Sequence, residues 1–442
     1  MKKIEEFGIR VPEILLPKNI DISTWSVIAC DQYTQDKDYW KKVEATAAGK
    51  PSTLNLILPE VYLGSPDKPE RIKKIRENMK SYLKDGVFAD PRKCFVYLER
   101  KTAFGRTRKG LVAQIDLETY EWKPFSKANI RATEATIVDR IPPRMEIRKG
   151  APVELPHIML LVNDKKDILV GGAGKAVKAK DPLYKGDLMS NGGSITGWAL
   201  ESDKEIKTVT KAVNKIAKAN SAKDGSTFLF AVGDGNHSLA TAKAVWDEYK
   251  KELIAKGASE EELLNNNVRY ALIEIVNIYD TGLTFEPIHR VIFNIDNMAL
   301  INKLAEKLDG TVKEVSSADE LEKAVKNSWA NFGFDFIDES GKQKYILLET
   351  TIKELAVARL QPEIDEFMKT AGNKAEMDYI HGTDEVMGLG TKKGALGVLL
   401  PPIAKDSFFD TINGRGPLPR KSFSMGEADE KRFYLECRKL FS

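Results

Sequence analysis

The segment from Ser226 to Tyr249, STFLFAVGDGNHSLATAKAVWDEY, limits what this chain can fold into more than any other. Thr227 to Val232 is rich in β-branched and aromatic residues, which predicts a buried strand. Gly233-Asp234-Gly235-Asn236-His237 then predicts a tight turn, since two glycines permit positive φ or close approach to the backbone. Ser238 is a good N-cap residue, and Leu239, Ala242, Val245, Trp246, Tyr249 and Leu253 recur at helical spacing. A strand feeding a helix through such a turn implies an α/β layer. It also aims unpaired backbone N–H groups and the positive end of a helix dipole at one point, which suits an anion such as phosphate. Asp234 can hold a metal or a hydroxyl, and His237 can donate to phosphate or move a proton.

Strand–glycine–helix joints also occur as plain turn chemistry in α/β proteins. Here an acid, a histidine, an asparagine and two glycines coincide at a strand's carboxyl end, where open sheets bind ligands. Two rival phosphate loops fit less well. Gly233-x-Gly235-x-x-Ser238 lacks the third glycine of the dinucleotide fingerprint. Gly171-Gly172-Ala173-Gly174-Lys175-Ala176 lacks the first glycine and the hydroxyl residue of a Walker loop, and reads as a flexible turn.

With 442 residues the chain can form two or three domains, and a net charge of +3 argues against a nucleic-acid coat or an anionic membrane surface. No apolar run reaches bilayer length, and MKKIEEFGIRVPE has no signal-like apolar core. Cys30, Cys94 and Cys437 are three and far apart, which fits a reducing cytoplasm rather than a disulfide framework. With four histidines and no HExxH or CxxC pair, a dedicated zinc hydrolase is not expected.

Along the chain, Trp25–Cys30 reads as a buried strand and Pro69–Leu83 as a helix. Cys94–Glu99 and Lys109–Ile115 read as an antiparallel pair. Gly171–Gly197 reads as a glycine-rich loop region. Strands and crossover helices together predict a mixed α/β (α+β) architecture. The expected division is a core domain over 1–290 and a smaller α/β domain over 291–442, whose tail returns to the core.

Other segments carry candidate chemistry. IRATEATIVDRIPPR packs Arg131, Thr133, Glu134, Thr136, Asp139, Arg140 and Arg144 together, with few apolar residues to explain it as core. Arginine forks grip phosphate, and the interleaved acids can hold a metal or a hydroxyl. GLTFEPIHR sets His289 and Arg290 just after the stiffening Pro287. Asp31 follows the apolar WSVIAC and is a candidate base or metal ligand. HGTDE (His381 to Glu385) and the Gly416–Ser424 segment are weaker anion or metal candidates.

In order, VIACDQY, LVAQIDLETY, RATEATIVDR, VGDGNHSLATAK, GLTFEPIHR, YIHGTDE and LPRKSF resemble an uncharacterised bacterial and archaeal family, a domain of unknown function with a DGHHR or DGNHS signature. That signature is similar to the turn of ParB-like nucleotide-binding proteins, sulfiredoxins and free-serine kinases. The resemblance implies a ParB/sulfiredoxin-like nucleotide-binding core with large insertions. It puts Gly235, Asn236 and His237 at nucleotide phosphates, flanked by Gly233 and Ser238, and makes Asp234 the candidate for metal or substrate. Two departures bear on chemistry. Asn236 stands where sulfiredoxin needs its cysteine, so a thiol mechanism is not implied. Ser238 stands where many relatives carry an arginine, so Arg131, Arg140 or Arg290 would have to supply the cation.

The expected function is a nucleotide- and Mg2+-dependent phosphotransferase acting on a small hydroxylated metabolite, with free serine the favoured acceptor. ATP or ADP would donate. The cradle would be Gly233, Gly235, Asn236 and Ser238, with cations from Arg131, Arg140, His289 and Arg290. Asp234, His237, Asp31 and Glu134 would do the chemistry, with Mg2+ on Asp234. A nucleotide sensor without turnover and a metal-dependent phosphohydrolase are the alternatives. The expected setting is cytoplasmic, with no nucleic acid or membrane partner and a homodimer allowed.

Overall fold

A computed structural model describes residues 4–370 and 375–441. The fold is mixed α/β, and it divides into two compact units. The first comprises Met1–Ala132, Thr136–Leu283 and Gly426–Ser442; the second comprises Thr133–Ala135 and Thr284–Met425.

The first unit is built on a ten-stranded mixed sheet. Its middle runs from Phe95–Lys101 through Thr107–Asp116, Tyr270–Asn277 and Met159–Val162 to Phe230–Asp234 and Ile130–Ala132. Phe230–Asp234 lies parallel to Ile130–Ala132 and antiparallel to Met159–Val162. All eight residues of Tyr270–Asn277 are buried, as the near-continuous apolar run YALIEIVN requires of a strand covered on both faces.

The Cys94–Glu99 and Lys109–Ile115 segments do form an antiparallel pair, and the Pro69–Leu83 helix spans Lys68–Lys84. Trp25–Cys30 differs from expectation. Asp21 caps a short helix, Ile22–Trp25, by accepting from Ser23 N at 2.8 Å. Val27 and Ala29 then pair with the C-terminal tail through Tyr434 N to Val27 O (2.7 Å) and Ala29 N to Arg432 O (2.9 Å). The apolar run is buried, but its partner is the tail rather than a sheet strand. The glycine-rich loop region also differs, because Val170–Val177 is a helix. A Cβ at Gly174 would come within 2.5 Å of the Tyr97 ring, so that glycine serves close packing of helix on sheet.

The tail is fixed by buried arginines. Arg100 donates to Lys431 O at 2.5 Å, Asp429 O at 2.6 Å and Gly192 O at 2.8 Å. Arg108 donates to Glu430 O at 2.6 Å. Arg432, itself buried, pairs with Glu274 at 3.2 Å and Glu436 at 2.8 Å. Buried ions of this kind must be paired and hydrogen-bonded to be tolerated, and here each cation orders backbone or a carboxylate.

The second unit has a six-stranded sheet in the order Thr311–Glu314, Gln343–Glu349, Phe332–Ile337, Ala395–Leu399, His289–Phe293, Glu376–Ile380. Ala318–Lys326 and Thr383–Gly390 supply helices that pack on it, and Leu321, Val325 and Val386 join its core. Among the described residues, no helix is long and apolar enough to cross a membrane.

Candidate functional site

The motif strand ends in a bulge. Its pairing with Met159–Val162 shifts register between Val232 and Asp234, which re-aims the strand end at Gly233. Gly235 then takes φ +83°, and a Cβ there would meet Ile158 Cγ1 at 3.0 Å, so both conformation and space call for glycine. The helix runs Asn236–Ala255, starting two residues before the expected Ser238. Its N-cap Gly235 makes no side-chain cap hydrogen bond, and no acid lies in its first turn. No side chain of the N-cap residue itself occupies the positive end of that helix, and the carboxylate nearest to it is Asp234, one residue before the cap.

Other chain segments bring charge and hydrogen-bonding groups to this helix start. Ser238 Oγ lies 2.7 Å from His157 Nε2, and His157 Nδ1 lies 2.9 Å from Tyr434 Oη. Cys30 N donates to that same Tyr434 oxygen at 3.1 Å. In the tautomer with the proton on Nδ1, His157 donates to Tyr434 and accepts from Ser238, which leaves Nε2 basic. Asp31 Oδ2 stands 3.9 Å from Nε2. Asp234 Oδ1 accepts from Gly235 N at 3.1 Å, and its Oδ2 faces Lys431 Nζ at 3.7 Å. Burial pushes the Asp234 carboxyl above its usual range; Lys431 pulls it back down, and the nearby Asp31 charge adds to the rise. Lys431 reaches this point because Arg100 and Arg108 hold the backbone on either side of it.

Below Ser238 and His157 lies a cavity of about 140 Å3. Its walls are mostly apolar, and two ion pairs, Arg144–Glu60 at 2.5 Å and Arg148–Glu154 at 2.5 Å, border it.

The candidate residues fall into three groups. Gly233, Asp234, Gly235, Asn236, His237 and Ser238 form the turn and helix start, and Asp31 joins them. Within that group His237 serves the backbone: its Nε2 accepts from Ile137 N at 3.3 Å. Arg131 and Arg140 belong to the same unit but do other things. Arg131 is buried, donates to Ala128 O at 2.8 Å and lies over the Phe228 ring, toward the start of the motif strand rather than its Asp234 end. Arg140 is exposed at the N-cap of the helix Ile141–Arg148. Glu134, His289 and Arg290 are in the second unit. Glu134 accepts from Ser422 N at 3.4 Å and bridges to Leu418. His289 and Arg290 are buried in the sheet: His289 Nδ1 accepts from Leu400 N at 3.0 Å, and Arg290 Nε donates to Gln361 at 2.8 Å. Burial, reinforced by Arg290, holds His289 down at about 4, so it is neutral at pH 7 and offers no charge to a phosphate.

His157, Tyr434 and Lys431 are not among the site residues expected from the sequence, whereas Arg144 lies in the expected IRATEATIVDRIPPR segment and pairs with Glu60 at the cavity. His157 had one available signal, its place two residues before the strand that neighbours the motif strand. Tyr434 and Lys431 lie some 200 residues from the motif, and only the folding back of the tail brings them near.

Among the described residues, no group of three or more His, Cys, Asp or Glu is arranged to hold a metal ion. The Asp31 charge does reach Asp234 and raises its carboxyl further. Mg2+ is usually held by one or two carboxylates together with substrate phosphates, so this pair fits Mg2+ arriving with a nucleotide, not a metal held by protein alone.

The chain belongs to the family described as "Protein of unknown function (DUF1015)", whose profile matches residues 14–378. This is in line with the family resemblance carried by the motif order. No curated protein matches the sequence. Among solved structures, a conserved hypothetical protein from Pyrococcus furiosus is similar at 11% identity and TM-score 0.35, over 75% of this chain and 95% of that one. A free serine kinase in complex with AMP is similar at 11% identity and TM-score 0.36, over 73% and 90%. SbnI from Staphylococcus aureus is similar at 8% identity and TM-score 0.33, over 75% and 83%.

Proposed function

We propose that this family member is a nucleotide- and Mg2+-dependent phosphotransferase that passes a phosphoryl group from ATP or ADP to the hydroxyl of a small metabolite. The reading is supported above all by one convergence in the first unit. A helix start whose N-cap is a glycine meets two carboxylates, a lysine and a buried histidine with a fixed second nitrogen.

Phosphoryl transfer asks mainly for positioning and for charge aimed at the phosphate oxygens. The helix start from Asn236 to Ser238 would receive the phosphates, Gly235 N being bonded to Asp234, with Lys431 as the cation where Arg131 and Arg290 are engaged elsewhere. Asp234 and Asp31 would hold Mg2+, which when bound neutralises the developing charge between the phosphates. The acceptor oxygen attacks the terminal phosphorus, the bond from that phosphorus to the nucleotide's bridging oxygen breaks, and the hydroxyl proton passes to His157 Nε2. Tyr434 keeps the ring oriented for that transfer.

The test is phosphorus NMR of the purified protein with ATP or ADP, Mg2+ and a panel of alcohols that includes free serine. A phosphate ester formed by the native protein and lost in Asp234→Asn is the expected result. Tight nucleotide binding without transfer would replace this reading with a nucleotide sensor, and release of inorganic phosphate alone would point to a phosphohydrolase.

A further inference from the structure

The cavity beneath the helix start narrows the choice of acceptor, an inference that rests on the phosphotransferase reading. Its walls include Leu58, Met79, Ile147 and Leu440, while His157 and Ser238 stand at its polar end. Its volume, about 140 Å3, is close to that of a cavity of about 150 Å3 that holds one benzene ring. The charged groups along it are already matched. Arg144 donates from Nε and Nη2 to one oxygen of Glu60, at 2.8 and 2.5 Å. Glu154 is shared between Arg148 and Arg438, and accepts from Leu272 N at 2.7 Å. Each cation there already faces a carboxylate and each acid a cation, and the polar capacity left over is that of the Arg148 guanidinium, which is ion-paired to Glu154 without a hydrogen bond. A zwitterion such as free serine would have to bury both its charges against hydrocarbon, at a cost that nothing in the cavity offsets. The hydroxyl, by contrast, has a natural place at His157 Nε2, where Ser238 Oγ now donates.

We propose that the acceptor is an uncharged alcohol with a compact apolar body of about six to eight non-hydrogen atoms, seated in this cavity with its hydroxyl at His157. A ligand that binds only the native state raises the melting temperature, so thermal shift reads the cavity directly, with no need for turnover. Benzyl alcohol and cyclohexanemethanol are the probes, with serine and glycerol as polar controls and ADP with Mg2+ in separate wells.

The expected result is a rise of about 2–5 °C with the apolar alcohols at saturation and none with serine or glycerol. Leu63→Trp, which puts a large ring at a half-buried position on the cavity wall, should abolish that rise while the ADP shift stays. Should that variant fold poorly, Ile147→Ser, on a half-buried helix position, makes the wall polar and should weaken the alcohol shift at least tenfold in concentration. An equal or larger shift with serine, or an alcohol shift that survives both variants, would overturn the proposal. A normal alcohol shift with no ADP shift would leave the cavity assignment standing and remove the phosphotransferase reading, so the two failures are distinct.

Discussion

Two aspartates make an instructive pair. Asp234 ends a strand of the first unit's sheet, and Asp335 lies within the strand Phe332–Ile337 of the second. Burial drives both carboxyls upward, Asp335 to about 7. Their surroundings differ in every other respect. Asp335 is fully buried, has no cation beside it, and Oδ1 finds no hydrogen-bond partner. It fits only because Gly390 and Gly397 have no Cβ to collide with it. Asp234 is half-buried, faces Lys431, and stands at a helix start with Asp31 and His157 nearby. A raised carboxyl alone marks desolvation; a raised carboxyl among other groups that could act on one ligand marks a site.

The sharpest way to break that contrast is Asp234→Asn. Removing the charge that would hold Mg2+ should lower transfer by about 10^3-fold or more, while stability shifts by only about 1 kcal/mol. Because the Asp234 carboxyl is raised, its ionised form grows in as pH climbs past the ordinary carboxylate range, and the native rate should climb with it. Equal activity in the variant would place Asp234 with Asp335, as a carboxyl that is merely buried.

His157→Gln comes next, with an expected loss of about 10^2-fold in kcat and little change in nucleotide affinity, since glutamine can hold Ser238 but cannot take a proton. A fall in affinity with kcat intact would make His157 a prop for the helix start instead of a base. Lys431→Met should act more mildly, weakening nucleotide binding about tenfold. It also removes the cation that pulls Asp234 down, so the rising limb of the pH–rate profile should move to higher pH. Lys431→Arg should restore most of both, and an unmoved profile would detach Lys431 from the site.

These residues show where sequence suffices. The strand–turn–helix was legible because its evidence is local: periodicity, two glycines, and an acid beside them. The exact helix start was not, since Gly235 rather than Ser238 caps it, and Ser238 turns inward to His157 instead. His289 and Arg290 looked like a site because Pro287 stiffens the backbone just before them, which suits a loop that must hold its shape. The register of their strand, with Arg290 opposite Tyr379 and Val398, turns them into a sheet that buries them. Lys431 and Tyr434 were invisible for the opposite reason. Nothing in KRFYLEC announces a site, and their role depends on contacts across some 200 residues, made through arginines that read only as charge.

The smallest expected effect on activity, none, belongs to Asp335→Asn, and its readout is stability. The folded-state carboxyl titrates at about 7, above the usual 3.8. The folded state therefore holds a proton that the unfolded chain has released between those values. The stability that comes with this proton is fully present below 3.8 and is lost as pH rises through 7. The span is on the order of 4 kcal/mol by linkage. Asparagine fills the same space between Gly390 and Gly397 and does not ionise, so the opening free energy of the Phe332–Ile337 amides, taken from hydrogen exchange relative to the intrinsic rate at each pH, should be flat from pH 4 to 8 in the variant. The native protein should open more readily toward pH 8, and phosphoryl transfer per folded molecule should be the same in both. A native slope that persists in Asp335→Asn would mean another group carries it, and a loss of transfer would end the distinction between the two aspartates.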